Sequence, residues 1–188
     1  MQTRIKKIIP QMIIDSRGNP TIEVSLSLTD GTHVAASVPS GASTGENEAL
    51  ELRDNQKEWL GRGVNKAISN INKYIAPRLI GVEPYNINKI DQMMLKMDGT
   101  TNKTKLGANA ILATSLAVLH AGAQSNKQQL FEYIHLQKNY TLPIPMMNIL
   151  NGGSHADNNI DLQEFMIMPI NFANYADALR AGVEIFHN

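Results

Sequence analysis

The chain has 188 residues, of which 43% are hydrophobic and 18% are charged, a composition typical of a folded globular protein. Its 17 basic and 17 acidic residues balance to zero net charge, so no basic excess indicates a nucleic-acid partner or a membrane surface. The absence of cysteine excludes disulfides and thiolate chemistry.

One segment imitates a membrane span, because residues 106–123 carry no charged side chain. Asn109, Ser115 and His120 interrupt its apolar character, and alanine rather than leucine dominates, so it predicts a buried helix of a soluble protein. We expect no signal peptide, because Pro10 breaks the apolar stretch after the first basic residues.

The first part of the chain predicts three antiparallel strands. Residues 21–29 alternate between apolar and polar types, as a strand buried on one face requires. Its apolar positions are Ile22, Val24, Leu26 and Leu28. Segments 5–15 and 33–38 flank it, and Pro10 suggests an edge strand or a bulge in the first of them.

Two turn signals separate these strands. Residues 15–20 read DSRGNP, a dense cluster of turn-forming types, and Asp30-Gly31 is a two-residue hairpin signal. Together they predict a three-stranded meander.

Helical patterns follow the meander. Residues 46–54 (ENEALELRD) predict a short helix that is acidic in its first turn. Residues 64–75 place apolar side chains on one face of a helix that we expect Pro77 to close. Asn86 is a candidate cap for the next helix, with Gly99 after its end.

Two more helices are predicted before residue 139. Residues 106–125 form the central helix of this region, and residues 129–138 form a short final one. We therefore predict an α+β domain over 1–138. A helical spacing of Ala176, Leu179, Val183 and Phe186 predicts one helix near the end of the chain.

Residues 142–169 predict the start of a second, α/β domain over 139–188. An apolar run over 144–150 has the length of a strand buried on both faces, and a second run over 165–168 stops at Pro169. A closed barrel of strand–helix units needs about 200 residues or more, so we expect an incomplete barrel here.

Two places could carry chemistry. The small-residue loop 40–45 could cradle a phosphate, connect two elements, or act as a lid whose serine oxygens meet a hard cation. His155, Gln163 and Glu164 lie at the edges of the two apolar runs. His155 could bind substrate or simply be a loop residue, and Glu164 could polarise a hydroxyl or face water.

Four motifs together resemble the enolase family. They are IIDSRGNPTIEV (13–24), VPSGASTGENEALELRD (38–54), KLGANAILATSLA (105–117) and LPIPMMNILNGGSHADNNIDLQEFMIMP (142–169). The resemblance covers essentially the whole chain. It implies an N-terminal capping domain of three strands and helices, followed by an unusual eight-stranded α/β barrel.

The resemblance also implies an activity and partners. The activity is the Mg²⁺-dependent removal of water from 2-phospho-D-glycerate to give phosphoenolpyruvate. The partners are these small molecules and a second copy of the chain, in a homodimer or larger homo-oligomer. The implied location is cytoplasmic, with a cell-surface or secreted pool known for the family.

Family roles map onto individual residues. Ser43 resembles the loop serine that closes over the substrate and ligates the second Mg²⁺. His155 resembles the barrel histidine that approaches the substrate, while Gln163 and Glu164 resemble the substrate-binding pair, with Glu164 near the leaving hydroxyl. Glu23 resembles a carboxylate at the family's dimer interface.

The main departure concerns the chemical centre. The family's proton-donating glutamate, its three carboxylates for the first Mg²⁺, its base lysine and its phosphate-binding arginine occupy motifs that do not occur before Asn188. The sequence therefore predicts no dehydratase activity for the 188 residues alone. The competing hypothesis is a non-catalytic fragment with a structural or partner-binding role.

Overall fold

The computed structural model describes residues 2–41, 45–135, 139–153 and 158–188. The chain divides into two compact units, Met1–Leu136 and Gln137–Asn188, and each is described by itself. The sequence-based domain boundary at 138/139 stays a prediction.

The first unit begins with the predicted meander. Strands β1 (Ile5–Ile14), β2 (Pro20–Leu28) and β3 (His33–Ser37) form an antiparallel sheet in the order β1-β2-β3. The four alternating apolar side chains of β2 are buried on one face, as predicted. Pro10 lies in the edge strand opposite Val24, and the register irregularity lies between Ile5 and Lys7 rather than at the proline.

The two turns follow the predicted residue types. The Asp15 carboxylate accepts hydrogen bonds from the backbone N–H groups of Arg17 and Asn19. The β2–β3 connection is longer than the predicted two residues, since the strands end at Leu28 and begin again at His33. Within it the Asp30 carboxylate accepts from the Thr32 N–H at 2.9 Å, which stabilises the wider turn.

The predicted helix over 46–54 is wrong, because the backbone there bonds to distant residues instead of to itself. The Leu50 N–H donates to Asn102 O at 2.9 Å, and Leu50 O accepts from the Ala108 N–H at 2.8 Å. Farther along, the Asp54 N–H donates to Gly63 O at 2.8 Å. Tertiary hydrogen bonds therefore override a favourable local helix propensity.

Next comes a short turn, Glu58–Gly61, that carries the only tryptophan of the chain. Trp59 and Leu60 have φ values of 54° and 51°, a left-handed conformation that is uncommon outside glycine.

The following helix continues past Pro77, which the sequence analysis expected to close it. It consists of α1 (Asn65–Asn70), a π-helical turn (Ile71–Ile75) and α2 (Ala76–Leu79). Proline cannot donate to the carbonyl four residues before it, and its ring clashes there. The wider π-helical turn just before Pro77 changes the hydrogen-bond register, so the chain stays helical through the proline.

Helix α3 (Ile87–Asp98) has the predicted ends. The Asn86 side chain accepts from the Lys89 N–H at 3.0 Å, and Gly99 takes the left-handed cap conformation. Helix α4 (Ala108–Ser125) is central as predicted, since it packs against β2, β3 and α3. The short α5 (Leu130–Ile134) ends earlier than predicted, at Ile134.

The core of the described residues lies in this first unit. The buried face of the sheet packs on the helices, and the largest fully buried side chains include Ile22, Ile71, Leu79, Met94 and Leu106. A search of the described helices finds none that is long and apolar enough to cross a membrane.

The second unit contains a hairpin and a helix. Strands β4 (Met147–Asn151) and β5 (Glu164–Ile167) pair antiparallel, and α6 (Tyr175–His187) packs on β4. Helix α6 confirms the prediction from apolar spacing. The expectation of a strand buried on both faces is wrong within the described residues, because β4 is half-buried to exposed and pairs with β5 alone.

Candidate functional site

The candidate site in the second unit is the open end of the β4–β5 hairpin. The register pairs Asn151, the last residue of β4, with Glu164, the first residue of β5. The preceding Gln163 accepts a hydrogen bond through its carbonyl from the Gly152 N–H at 2.9 Å. Gln163 and Glu164 therefore lie directly beside the start of the Gly-Gly loop.

Backbone contacts fix the start of this loop closely. A Cβ atom on Gly152 would meet the carbonyl oxygens of Leu162 and Ile160, the latter at 2.6 Å. Gly153 has a φ of 56°, and its N–H donates to Ile160 O at 2.7 Å. Glycine is required at residue 152 by space, and it is favoured at residue 153 by backbone conformation.

Asparagine side chains add further hydrogen bonds at the same end. The Asn148 Nδ2 donates to Asn151 Oδ1 at 2.6 Å, and the Asn158 Nδ2 donates to Asn151 O at 2.9 Å. The Ile160 N–H in turn donates to Asn158 Oδ1 at 3.0 Å. These bonds join the last residues of β4 to the returning part of the loop, so both ends of segment 153–158 are held.

The sequence-predicted residues fall into two groups. Gln163 and Glu164 are exposed and adjacent at the hairpin end. His155 and Ser43 lie outside the described residues, so their predicted roles stay predictions. A search of the described ranges finds no group of three or more His, Cys, Asp or Glu side chains arranged to hold a metal ion.

In the first unit, Ser40 precedes Ser43 by three positions in the sequence and is a described residue. The Ser40 hydroxyl donates to Glu51 Oε2 at 3.0 Å, and the Ser40 carbonyl accepts a hydrogen bond from Arg17 Nη2. The Glu51 carboxylate also pairs with Arg53, with 2.6 Å between Oε1 and Nη2. Charged and hydroxyl groups thus hold the backbone at residue 40.

Comparison with known proteins decides the family. The sequence matches the enolase N-terminal domain over residues 5–134 and the enolase C-terminal TIM barrel domain over residues 139–188. The chain belongs to the enolase family. It is also 54% identical over 185 residues to the enolase of Helicobacter hepaticus.

The enolase match covers the two proteins unequally. It spans 98% of this chain but 44% of the Helicobacter hepaticus enolase. The predicted fold class is confirmed: an enolase N-terminal domain with a three-stranded antiparallel sheet and helices precedes part of the enolase barrel domain.

Glu23 occupies an ordered position on the outer face of the enolase N-terminal sheet. The register aligns Gln11, Glu23 and Ser37 in one row across the three strands. Gln11 Nε2 donates to Glu23 Oε1 at 2.8 Å, and Ser37 Oγ donates to Glu23 Oε2 at 3.0 Å. Both carboxylate oxygens are therefore oriented by neighbouring strands.

The turn before β2 carries a second ordered carboxylate. The N–H groups of Asn19 and Arg17 lower the pKa of Asp15 below its usual value, because these donors favour the charged form. The Arg17 and Arg53 side chains act in the same direction. This turn adjoins Ser40, since Arg17 donates to the Ser40 carbonyl.

Sequence reasoning missed the connection between Arg53 and Ser40. The connection was missed because a helix was predicted over 46–54, and a helix would have directed the Arg53 side chain along its surface. The asparagines around residues 148–158 were also missed as a connected set. Their frequency near a Gly-Gly pair was an available signal, because Asn side chains commonly bond loop backbone.

Proposed function

We propose that this chain provides the lid segment and one wall of the site of an enolase, a lyase of glycolysis and gluconeogenesis. The proposed reaction is the reversible dehydration of 2-phospho-D-glycerate to phosphoenolpyruvate. The observation that supports it is the enolase match over both segments, 5–134 and 139–188. The sequence-based division into domains 1–138 and 139–188 is part of the proposal.

Gln163 and Glu164 are the residues that we propose to contact substrate. They are exposed at the open end of the β4–β5 hairpin, where the Gly152 N–H holds the Gln163 backbone in place. An amide at residue 163 can donate to a phosphate or carboxylate oxygen. A carboxyl at residue 164 can exchange a proton with the leaving hydroxyl. His155, farther along the Gly-Gly loop, is proposed to approach the same substrate.

Mg²⁺ is the proposed cofactor. It is a hard cation that takes oxygen ligands, and the hydroxyl of Ser43 is a donor of that kind. When bound, Mg²⁺ stabilises the negative charge that develops as a proton leaves the carbon beside the substrate carboxylate. We assign no further ligand within the described residues.

A chimera tests the proposal. Residues 1–188 are joined to the part of the Helicobacter hepaticus enolase that follows the matched region, and dehydration of 2-phosphoglycerate is followed with excess Mg²⁺. We expect turnover, and a loss of about a hundredfold or more in kcat for Glu164→Gln, which removes proton exchange but keeps the side-chain shape. The matched control is Glu184→Gln on α6, which should keep full activity.

The 188-residue chain without the extension is assayed in parallel, and we expect no turnover from it. Turnover by that chain would contradict the proposed division of the site. A folded chimera that binds Mg²⁺ but is inactive, or one in which Glu164→Gln retains full kcat, would contradict the enzymatic proposal. The inactive chimera would favour a non-catalytic, partner-binding fragment.

A homodimer or larger homo-oligomer is proposed as the assembly. The orientation of Glu23 by Gln11 and Ser37 supports this, because a carboxylate whose two oxygens are held outward on a sheet face is ready for a cationic partner. A chimera that is monomeric by light scattering would contradict it. The proposed location is cytoplasmic with a cell-surface or secreted pool, which cell fractionation tests.

A further inference from the structure

Arg53 joins three separate parts of the first unit through one guanidinium group. Its side chain is 17% exposed. It donates to Pro20 O at 2.7 Å, to Arg62 O at 2.6 Å, to Glu51 Oε1 at 2.6 Å and to Ser40 Oγ at 3.2 Å. Pro20 is the first residue of β2, Arg62 follows the Glu58–Gly61 turn, and Ser40 lies shortly after β3. Glu51 belongs to the same non-helical segment, 46–54, as Arg53 itself.

The backbone that carries Arg53 is itself fixed on both sides. The Leu52 N–H donates to Asn109 Oδ1 at 3.2 Å, and Leu52 O accepts from Asn109 Nδ2 at 3.1 Å. Asn109 is buried in the first turn of α4. On the other side, the Asp54 carboxylate accepts from the N–H groups of Asn65 and Lys66 at 2.9 and 2.8 Å. The backbone that carries the guanidinium is therefore held in place on both sides.

Ser40 is the acceptor with the most consequence, because it directly precedes Gly41. Its hydroxyl lies between Arg53 and Glu51, and its carbonyl is bonded by Arg17. The hydroxyl and the carbonyl of Ser40 are thus both hydrogen-bonded to side chains of other residues. The position of the backbone immediately before Gly41 is therefore fixed.

We propose that Arg53 is a positioning residue that fixes the Ser40 end of the segment leading to Ser43. A guanidinium has five donors in a planar fork and can serve four acceptors in different directions, whereas an ammonium is a point charge on a flexible stem. The consequence for metal binding by Ser43 rests on the proposed function. The anchoring of Ser40 does not, because it involves described residues only.

The experiment compares Arg53→Lys and Arg53→Ala in the 188-residue chain by amide hydrogen exchange. In Arg53→Lys, exchange of the hydrogen-bonded amides that flank the segment, Val38 (to Ile22 O) and Leu50 (to Asn102 O), should accelerate about tenfold, the factor expected when one charge-assisted hydrogen bond is lost. Exchange in α3 should accelerate less, because α3 amides can open locally without breaking the Arg53 hydrogen bonds. The matched control is Arg78→Lys on the exposed face of α2, which should leave exchange at Val38 and Leu50 unchanged.

Chemical rescue separates positioning from general stabilisation. In Arg53→Ala, millimolar methylguanidinium should restore slow exchange of the Val38 and Leu50 amides, whereas methylammonium should not. The proposal is overturned if exchange at Val38 and Leu50 is unaffected by Arg53→Lys, or if it rises only in parallel with exchange in α3. Neither the exchange rates nor their rescue requires turnover, so a failed dehydration assay would not change the outcome of this test.

Discussion

Asp98 shows how a single buried charge can stabilise the fold. It is the last residue of α3 and is 3% exposed. Burial alone would raise the pKa of its carboxyl, but hydrogen bonds from Leu106 and Thr100 outweigh that effect and hold the pKa below its usual value. The Leu106 N–H lies 2.7 Å from Oδ2, and the Thr100 N–H lies 3.0 Å from Oδ1.

Replacing Asp98→Asn tests this carboxylate. The asparagine amide would place its own N–H donors opposite the backbone N–H donors that now bond the carboxylate. We therefore expect the free energy of unfolding near pH 7 to fall by about 1–3 kcal/mol. Because the folded pKa is lowered, the stabilisation is present above the unfolded pKa of about 3.9 and is lost as pH falls through the folded pKa. The difference between wild type and variant should therefore shrink below about pH 4.

Urea unfolding followed by circular dichroism across this pH range measures the effect. Asp91→Asn on the same helix is the control, because Asp91 Oδ1 is buried without a hydrogen-bond partner among the described residues. We expect it to cost little near pH 7. A difference for Asp98→Asn that stays constant down to acidic pH would rule out the charged carboxylate as the source of stability.

Two glycines lie in close contact with the β4–β5 hairpin, but their neighbouring atoms differ in how easily they can move. A Cβ atom at Gly152 would meet two backbone carbonyl oxygens, which move only if the loop moves. A Cβ atom at Gly182 in α6 would meet the Sδ and Cε atoms of Met147, the latter at 2.5 Å. Methionine can rotate its thioether away, so the second site can adapt.

We expect Gly152→Ala and Gly182→Ala to differ sharply. Gly152→Ala should open the hairpin and remove protection from exchange for the amides of β4 and β5. Gly182→Ala should leave it intact, since alanine favours a helix over glycine by about 1 kcal/mol. Hydrogen exchange over 147–151 and 164–167 gives the comparison, and equal effects from the two variants would refute the steric argument.

The elements that sequence reasoning predicted well are those whose signals are local. Alternation in β2 and the cap at Asn86 act within a few residues, and both are found. The extended segment over 46–54 depends on partners at Asn102, Ala108 and Gly63, which no local pattern reveals. The site followed the same rule: Gln163 and Glu164 were picked from adjacent motif positions, but Arg53 acts through residues up to 33 positions away.

The two units differ in how much apolar surface they bury. The core cluster of the described residues lies within the first unit. In the second, large apolar side chains remain exposed, among them Leu142 at 68% and Met146 at 64%. Such surface destabilises a unit by itself and promotes aggregation.

Limited proteolysis should therefore cut the second unit first and leave a product that retains 5–134. Trypsin is a poor probe, because Arg180 is the one Lys or Arg within 139–188. Chymotrypsin suits the many aromatic residues, leucines and methionines there, and digestion in urea gives the control for intrinsic site preference. Early cleavage within the first unit with 142–188 protected would contradict this expectation.

The single tryptophan, Trp59, lies in the Glu58–Gly61 turn and is 49% exposed. Indole fluorescence excited selectively will consequently monitor a solvent-facing bend of the first unit, whereas residues 137–188 contain no tryptophan to report on their own melting. An optical titration that uses this fluorophore alone would register one clean transition even where two occur. Pairing it with a tyrosine or far-ultraviolet signal exposes the hidden step.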